Sequence, residues 1–576
     1  MDISLNNISS IKNKCTLLYG KKKTDRLIPE IKRLLKKYSV KNMAQPKEKM
    51  FLNEKDVILI VYGDSIQSSQ KKPLKVLFDF IRQYLEETFN TLHILPFYPY
   101  SSDNGFSVID YKKVNPCLGT WRDIDAIIQE EKLMIDLVAN HISAKSPWFK
   151  EYLKGNPLYE NYFLSFDEKP DATSVVRARE HPLFTKFIKN GKEVYLWTTF
   201  SNDQIDLNFC NEKVLLSMID IILFYCSKKV SMIRLDAIGH IWKKLNTSCI
   251  NLKKVHDIIQ LIRMIVDEIY PNVLLVTETN VPCTKNLCYF GNGFNEAQLI
   301  YHFSIPFLVL HTFYTANSLR LMNYLCSLDN LSERTAFLNI LATHDGIGVV
   351  PVKNILSDNE IINVVNHVVN RGGYISYKMV KNGIKKPYEL NITYYSAMAD
   401  AQNSMETNIN KFIASQVIIL SLKGIPGIYV HSLFGTENDH IGVKKTGENR
   451  AINRKKWSFE NLQEILSDKK SKEYKIFNKY KRLINKRKAE IAFHPNGKQR
   501  VVFIKKEIIS LIRISPDGKG KILVLINVTG IPQKIHHSLD SILHSKKRYT
   551  DIIAEKSINI TKMTLEPYQA MWIKMI

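Results

Sequence analysis

Short apolar runs separated by longer amphipathic stretches set the plan of this chain. Residues 56–62, 92–96, 132–138, 230–235 and 273–277 are too uniformly apolar to leave one face in water. They are read as strands of a parallel sheet, covered on both faces. Weaker runs follow at 298–303, 336–342 and 427–431, and helical patterns such as the one around 76–89 fill the intervals. Alternation of strand and helix indicates an α/β fold. Eight strands predict closure into a (β/α)8 TIM barrel rather than an open sheet.

Around that barrel the pattern changes three times. Residues 1–54 are lysine-rich and polar, with Leu27, Ile31, Leu34 and Leu35 at helical spacing, and predict an N-terminal helical extension. The barrel takes residues 55–492. Two of its intervals, about 142–228 after the third strand and about 349–410 after the seventh, are too long for loops and predict inserted subdomains. Residues 493–576 turn to short alternating segments, such as 501–504, 521–526 and 570–573, and predict a small C-terminal antiparallel β domain.

The fourth run ends in two charges, Arg234 and Asp236, two residues apart and so on one side of a strand. A buried carboxylate without a partner costs several kcal/mol. Asp236 is therefore either half of a structural pair with Arg234 or a reactive group at the C-terminal mouth of the barrel, where catalytic residues of this fold collect.

Composition sets the limits. The 576 residues are 45% hydrophobic and 24% charged, an ordinary globular balance. The net charge of +25 would suit a polyanion or an anionic small substrate. The lysines are dispersed, however, and clusters such as Lys21–Lys23 carry no interleaved aromatics, so no nucleic-acid partner is expected. The eight cysteines form no CxxC pair, and several lie in apolar runs, as Cys226 does. Such thiols pack as small hydrophobes and fit a reducing compartment. The N-terminus has no secretory pattern and no run approaches the ~20 residues of a membrane span. A cytoplasmic protein without a membrane partner is expected, and nothing in the pattern bears on its oligomeric state.

The strand ends converge on one chemistry. Asp136, Asn140 and His141 follow the third strand, Arg234 and Asp236 close the fourth, Glu278 follows the fifth, and His344 and Asp345 follow the seventh. A retaining glycoside-processing enzyme needs one carboxylate as nucleophile and a second as acid and then base, ~5–5.5 Å apart. Neighbouring strands, about 4.7–4.9 Å apart, supply that spacing. A third carboxylate can stabilise the oxocarbenium-like state or hold sugar hydroxyls.

Asp136-Leu-Val-Ala-Asn-His141, Ile233-Arg-Leu-Asp236, Glu278 and Ala342-Thr-His-Asp345 resemble, in order and separation, the four motifs of the α-amylase superfamily, glycoside hydrolase family 13. The resemblance runs from about residue 55 to the C-terminus. It implies Asp236 as nucleophile, Glu278 as general acid/base and Asp345 as transition-state stabiliser. Arg234, His141 and His344 match positions that orient the nucleophile and bind the glucosyl unit. Asn140 matches a calcium ligand of many amylases.

Leu95-Pro-Phe-Tyr-Pro-Tyr-Ser-Ser-Asp-Asn-Gly-Phe106, Gly424-Ile-Pro-Gly-Ile-Tyr429 and Arg450-Ala-Ile-Asn-Arg454 are similar to the sucrose-phosphorylase subgroup. That likeness implies that Asp103 and Arg454 close the far end of the glucose pocket. It also puts Phe106 against the sugar ring and Gln204 near the acceptor, and it implies no metal or cofactor, with inorganic phosphate as co-substrate. Two positions depart from the sucrose-acting pattern: Asn280 stands two residues past the acid, where a His is expected, and His240 where an aromatic is usual. Glu278-Thr-Asn-Val-Pro282, the run from Trp242-Lys-Lys to Thr247-Ser-Cys249 and Leu196-Trp-Thr-Thr-Phe200 are similar to the glucosylglycerate-acting phosphorylases. The expected reaction is double-displacement cleavage of an α-glucoside, with 2-O-α-glucosylglycerate favoured, to α-glucose 1-phosphate. Sucrose or sucrose 6-phosphate phosphorolysis, and α-glucoside hydrolysis or transglucosylation, are the alternatives. A non-catalytic binding relative is disfavoured because all three carboxylates are present.

Overall fold

Eight strands buried along most or all of their length form a closed parallel barrel in the computed structural model. The structure describes residues 5–39, 52–328, 332–379, 385–535, 543, 549–559 and 563–575. In chain order the barrel strands are β1 (Ile58–Val61), β2 (Thr91–Ile94), β3 (Lys132–Val138), β4 (Met232–Asp236), β5 (Leu274–Thr277), β6 (Leu299–Tyr301), β7 (Ala336–Asn339) and β8 (Ile425–Tyr429). Each pairs with its neighbours in sequence order, and β8 closes on β1. All eight apolar runs read from the sequence fall on these strands. The bounds shift where a side chain has another task. Asp56, read as part of the first strand, instead accepts bonds below it from the Asn53 N–H (2.7 Å), Asn90 (2.7 Å) and Lys132 (3.0 Å). At β8, residues 430 and 431 leave the strand for the short helix Val430–Phe434.

The helical extension is present and docked. Helices α1 (Leu5–Tyr19) and α2 (Lys21–Ser39) lie over two outer barrel helices, α3 (Glu212–Ser227) and α4 (Lys253–Ile269). One stripe of α2, including Leu27, Ile31, Leu34, Leu35 and Tyr38, is buried. Each fully buried Leu or Ile there is worth about 1.5–3 kcal/mol. Polar ties fix the register: Lys37 and Tyr38 hold Asp220 at 3.0 and 2.9 Å, and Lys14 pairs with Asp257 at 3.1 Å.

The interval 142–228 is only partly an insertion, because α3 within it is the barrel's own return helix. The inserted part holds a strand pair, His141–Ser143 against Gln204–Asp206, and a three-stranded antiparallel sheet centred on Lys192–Trp197. After β7, strands Ile347–Gly348, Lys385–Asn391 and Tyr374–Met379 form a second antiparallel sheet over the mouth. The C-terminal unit is a six-stranded antiparallel sheet. Its first strand is Lys498–Val501 rather than 501–504, and the second, Ile508–Ile514, carries the longer apolar run. Trp572 anchors it to the barrel by donating to Ser421 Oγ at 2.8 Å. Among the described residues no helix is long and apolar enough to cross a membrane, and all eight cysteines are unpaired.

Candidate active site

Parallel register brings the charges of three strands together. Arg234 on β4 stands beside Asp136 on β3 and Val276 on β5. Its guanidinium contacts Asp136, donates to Asp236 Oδ1 at 2.8 Å and lies 3.8 Å from Glu278. His93 on β2 holds the other oxygen of Asp136 at 2.8 Å. Asp136 thus anchors Arg234, and Arg234 is bonded to Asp236, so the pairing considered from sequence is present. Glu278 accepts from the Ala237 N–H at 3.1 Å, and Ala237 takes a left-handed turn (φ 47°) just after β4.

Burial pushes the carboxyls of Asp236 and Glu278 above their ordinary range, and Arg234 offsets part of that rise. Arg234 lies nearer Asp236 (2.8 Å) than Glu278 (3.8 Å). Asp345 behaves differently. Burial would raise it, but the guanidiniums of Arg450 and Arg454 beside it hold its carboxyl well below the usual range.

The glucose-side residues named from sequence are assembled around this centre. Phe106 stacks flat on His344, with ring centroids 4.7 Å apart and planes at 4°. Arg454 approaches Asp103 at 3.5 Å and donates to the His344 carbonyl at 2.8 Å. Gln204 lies 3.3 Å from Asp103 and 3.1 Å from His141. Burial lowers the imidazoles of His141 and His344, and burial with Lys243 nearby lowers His240 to about 4. All three are neutral at pH 7. Asn280 faces the cavity with a buried Oδ1 that has no protein partner. All twelve site residues read from sequence lie in or directly behind one cavity, Arg234 and Arg454 being the two behind its lining.

Asn140, the residue at the amylase calcium position, accepts from the Lys243 ammonium, which also pairs with Asp206 at 2.7 Å. A side-chain cation therefore fills the space between those two acceptors. Among the described residues no cluster of three or more His, Cys, Asp or Glu is arranged for a metal.

Four residues of the site were not singled out from sequence. Arg450 contacts Asp345 and forks onto Glu389 at 2.9 and 2.6 Å. Glu389 also accepts from the Gly346 N–H at 3.1 Å. Arg179 lies against the rings of Phe200 and Tyr388, its guanidinium carbon 5.9 and 5.7 Å from their centroids. Tyr388 lines the cavity beside it. Arg450 stood in a quoted motif. The others sit in polar insertions whose patterns carry no local signal of convergence.

A parallel (β/α)8 barrel with three carboxylates gathered around one strand-end arginine defines a carbohydrate-active enzyme class. The family described as "Alpha amylase, catalytic domain" matches residues 80–345. A glucosylglycerate phosphorylase of Spirochaeta thermophila is 46% identical over 84% of this chain and 82% of its own length. That of Allomeiothermus silvanus is 43% identical over 90% of this chain and 91% of its own. The crystal structure of sucrose 6F-phosphate phosphorylase from Thermoanaerobacter thermosaccharolyticum superposes with a TM-score of 0.73 at 27% identity, covering 84% of this chain and 96% of that one. The chain belongs to the α-amylase family, among its glycoside phosphorylases.

Proposed function

We propose that this enzyme is a retaining phosphorylase of 2-O-α-glucosylglycerate, yielding α-glucose 1-phosphate and glycerate. Asp236 attacks the anomeric carbon while Glu278 gives its proton to the departing acceptor oxygen. Asp345, kept ionised by Arg450, stabilises the oxocarbenium-like state. Phosphate then attacks the β-glucosyl ester on Asp236 from the vacated face, and two inversions leave the α configuration. Inorganic phosphate is the co-substrate and no cofactor or metal takes part. Unpaired cysteines, three of them buried, support a reducing compartment, the cytoplasm.

The observation that carries the anionic acceptor is Arg179. Of the other arginines of the site, Arg234 holds three carboxylates and Arg450 two, while Arg454 donates through Nε to the His344 carbonyl and lies 3.5 Å from Asp103 on the glucose side. Arg179 has only Glu389 at 3.7 Å, a carboxylate already taken by Arg450, and makes no hydrogen bond among the described residues. A guanidinium between two aromatic rings with its donors free suits a carboxylate. The unpartnered Asn280 Oδ1 suits a hydroxyl of the same acceptor.

The test is incubation with α-glucose 1-phosphate and a panel of acceptors, scoring phosphate release. Glycerate should exceed fructose a hundredfold or more, since a site built for a polar group rejects the analogue that leaves it unpaired. Comparable rates with fructose return the protein to a sucrose-type reaction.

A further inference from the structure

One carboxylate outside the reacting centre gathers the loop on which the glucose side depends. Asp203 Oδ2 accepts hydroxyl bonds from Ser101 and Ser102, both at 2.5 Å, and from Ser107 at 2.7 Å. Its own carbonyl accepts from Ser107 Oγ (3.1 Å) and from the Ala144 N–H (2.9 Å). Ser101 is further tied to Ser143 at 2.5 Å. The three hydroxyls bracket Asp103 and Phe106, and Asp203 directly precedes Gln204.

That loop does not hold its shape by local preference. Asp103 and Asn104 are consecutive non-glycine residues in the left-handed region, at φ 51° and 47°, a conformation that costs energy for any residue with a Cβ. Gly105 follows at φ 111°, so close to β2 that a Cβ would meet the Pro96 carbonyl at 2.4 Å. The strained backbone is what turns the Asp103 carboxylate toward Arg454 (3.5 Å) and Gln204 (3.3 Å). Charge-assisted O–H···O⁻ bonds are about twice as strong as neutral ones, and three of them converge on one oxygen at the two ends of the strained turn.

We propose that Asp203 is a positioning residue for the glucosyl unit: its carboxylate pins residues 101–107 so that Asp103 and Phe106 meet the sugar. This rests on the reading of Asp103 and Phe106 as glucose-side residues given above. Asp203 touches no reacting atom, so its loss should weaken glucosyl binding and leave the chemical step largely intact.

The experiment compares Asp203→Ala, Asp203→Asn and Asp103→Ala by steady-state kinetics, with α-glucose 1-phosphate as donor and glycerate or water as acceptor. Asp203→Ala should raise KM for α-glucose 1-phosphate at least tenfold with kcat within about threefold and KM for glycerate little changed. Asp203→Asn keeps an acceptor oxygen and should recover most of the loss. Ser102→Ala, which removes one hydroxyl and perturbs folding least, should give a smaller rise of the same kind. An unchanged KM in Asp203→Ala, or a fall in melting temperature with normal KM in the folded fraction, overturns the proposal. If Asp103→Ala itself leaves KM for α-glucose 1-phosphate unaltered, it is the assignment of the glucose side that fails.

Discussion

Arg450 holds Asp345 and Glu389 with one guanidinium, forking onto Glu389 at 2.9 and 2.6 Å while its other terminal nitrogen reaches Asp345. One side chain thereby joins a barrel strand end to the sheet inserted over the mouth. Its charge is also the largest influence holding the Asp345 carboxyl down against the rise that burial imposes.

Arg450→Met removes the charge and the fork together. Leaving two buried carboxylates without their partner costs about 3–5 kcal/mol of stability, so the melting temperature should fall, and kcat/KM with it. The sign of the pH effect follows from the depressed carboxyl. With Arg450 present, Asp345 stays ionised far into acid, and without it the carboxyl rises. The acid limb of the kcat/KM profile should move to higher pH in the variant, and an unmoved limb would assign Arg450 a purely structural part.

Asp236→Asn should abolish turnover on every donor. Glu278→Gln should cost the ~10²–10⁴-fold typical of acid/base catalysis on a poor leaving group. It should spare the first step with donors whose leaving group needs no proton. Because burial raises the Glu278 carboxyl, the acid form persists above the ordinary carboxylate range and is lost as pH rises. The basic limb of the profile should therefore vanish in Glu278→Gln. Proton NMR of the first product formed by the parent enzyme should show the α anomer of glucose 1-phosphate.

Arg179→Ala should raise KM for glycerate at least thirtyfold while altering KM for glycerol, an uncharged analogue, less than threefold. Added salt should weaken glycerate more than glycerol in the parent, since a charge at a wet mouth is screened within about 8–10 Å. The measurement is initial rate against acceptor concentration at two ionic strengths. Equal effects on both acceptors would remove the carboxylate from this arginine.

The barrel was legible because parallel strands are buried on both faces and read as continuous apolar runs, whatever their surroundings. Even β6, three residues long, was visible as residues 298–303. The residues at strand ends were legible for the same reason: a charge directly after such a run, as at Asp236 or Asp345, has nowhere bland to go. Arg179 and Glu389 were not. Each lies in a polar insertion where a charge is unremarkable, and only the folding of residues 165–197, 374–379 and 385–391 over the mouth makes them part of the site. Within 142–228 the inserted strands and the return helix α3, with Ile219, Ile221 and Ile222 buried, run together with only the short loop 207–211 between, so their boundary leaves no mark in the pattern.

Lys243 offers the last test, one of stability. Its ammonium is buried between Asp206, at 2.7 Å, and Asn140, and Asp206 in turn accepts from the Thr199 N–H at 2.8 Å. Lys243→Met should leave Asp206 with a buried, uncompensated charge, a loss of about 3–5 kcal/mol, and lower the melting temperature by several degrees. Lys243→Met with Asp206→Asn removes both charges while the amide oxygen still accepts from Thr199, and should recover much of the loss. The coupling between the two positions should fall at about 0.5–3 kcal/mol, the range for residues in one network. Additive losses would mean that the lysine merely fills space. His141 pairs in register with Asp206, so the single variant should also raise KM for the glucosyl donor, and the double variant should bring it back.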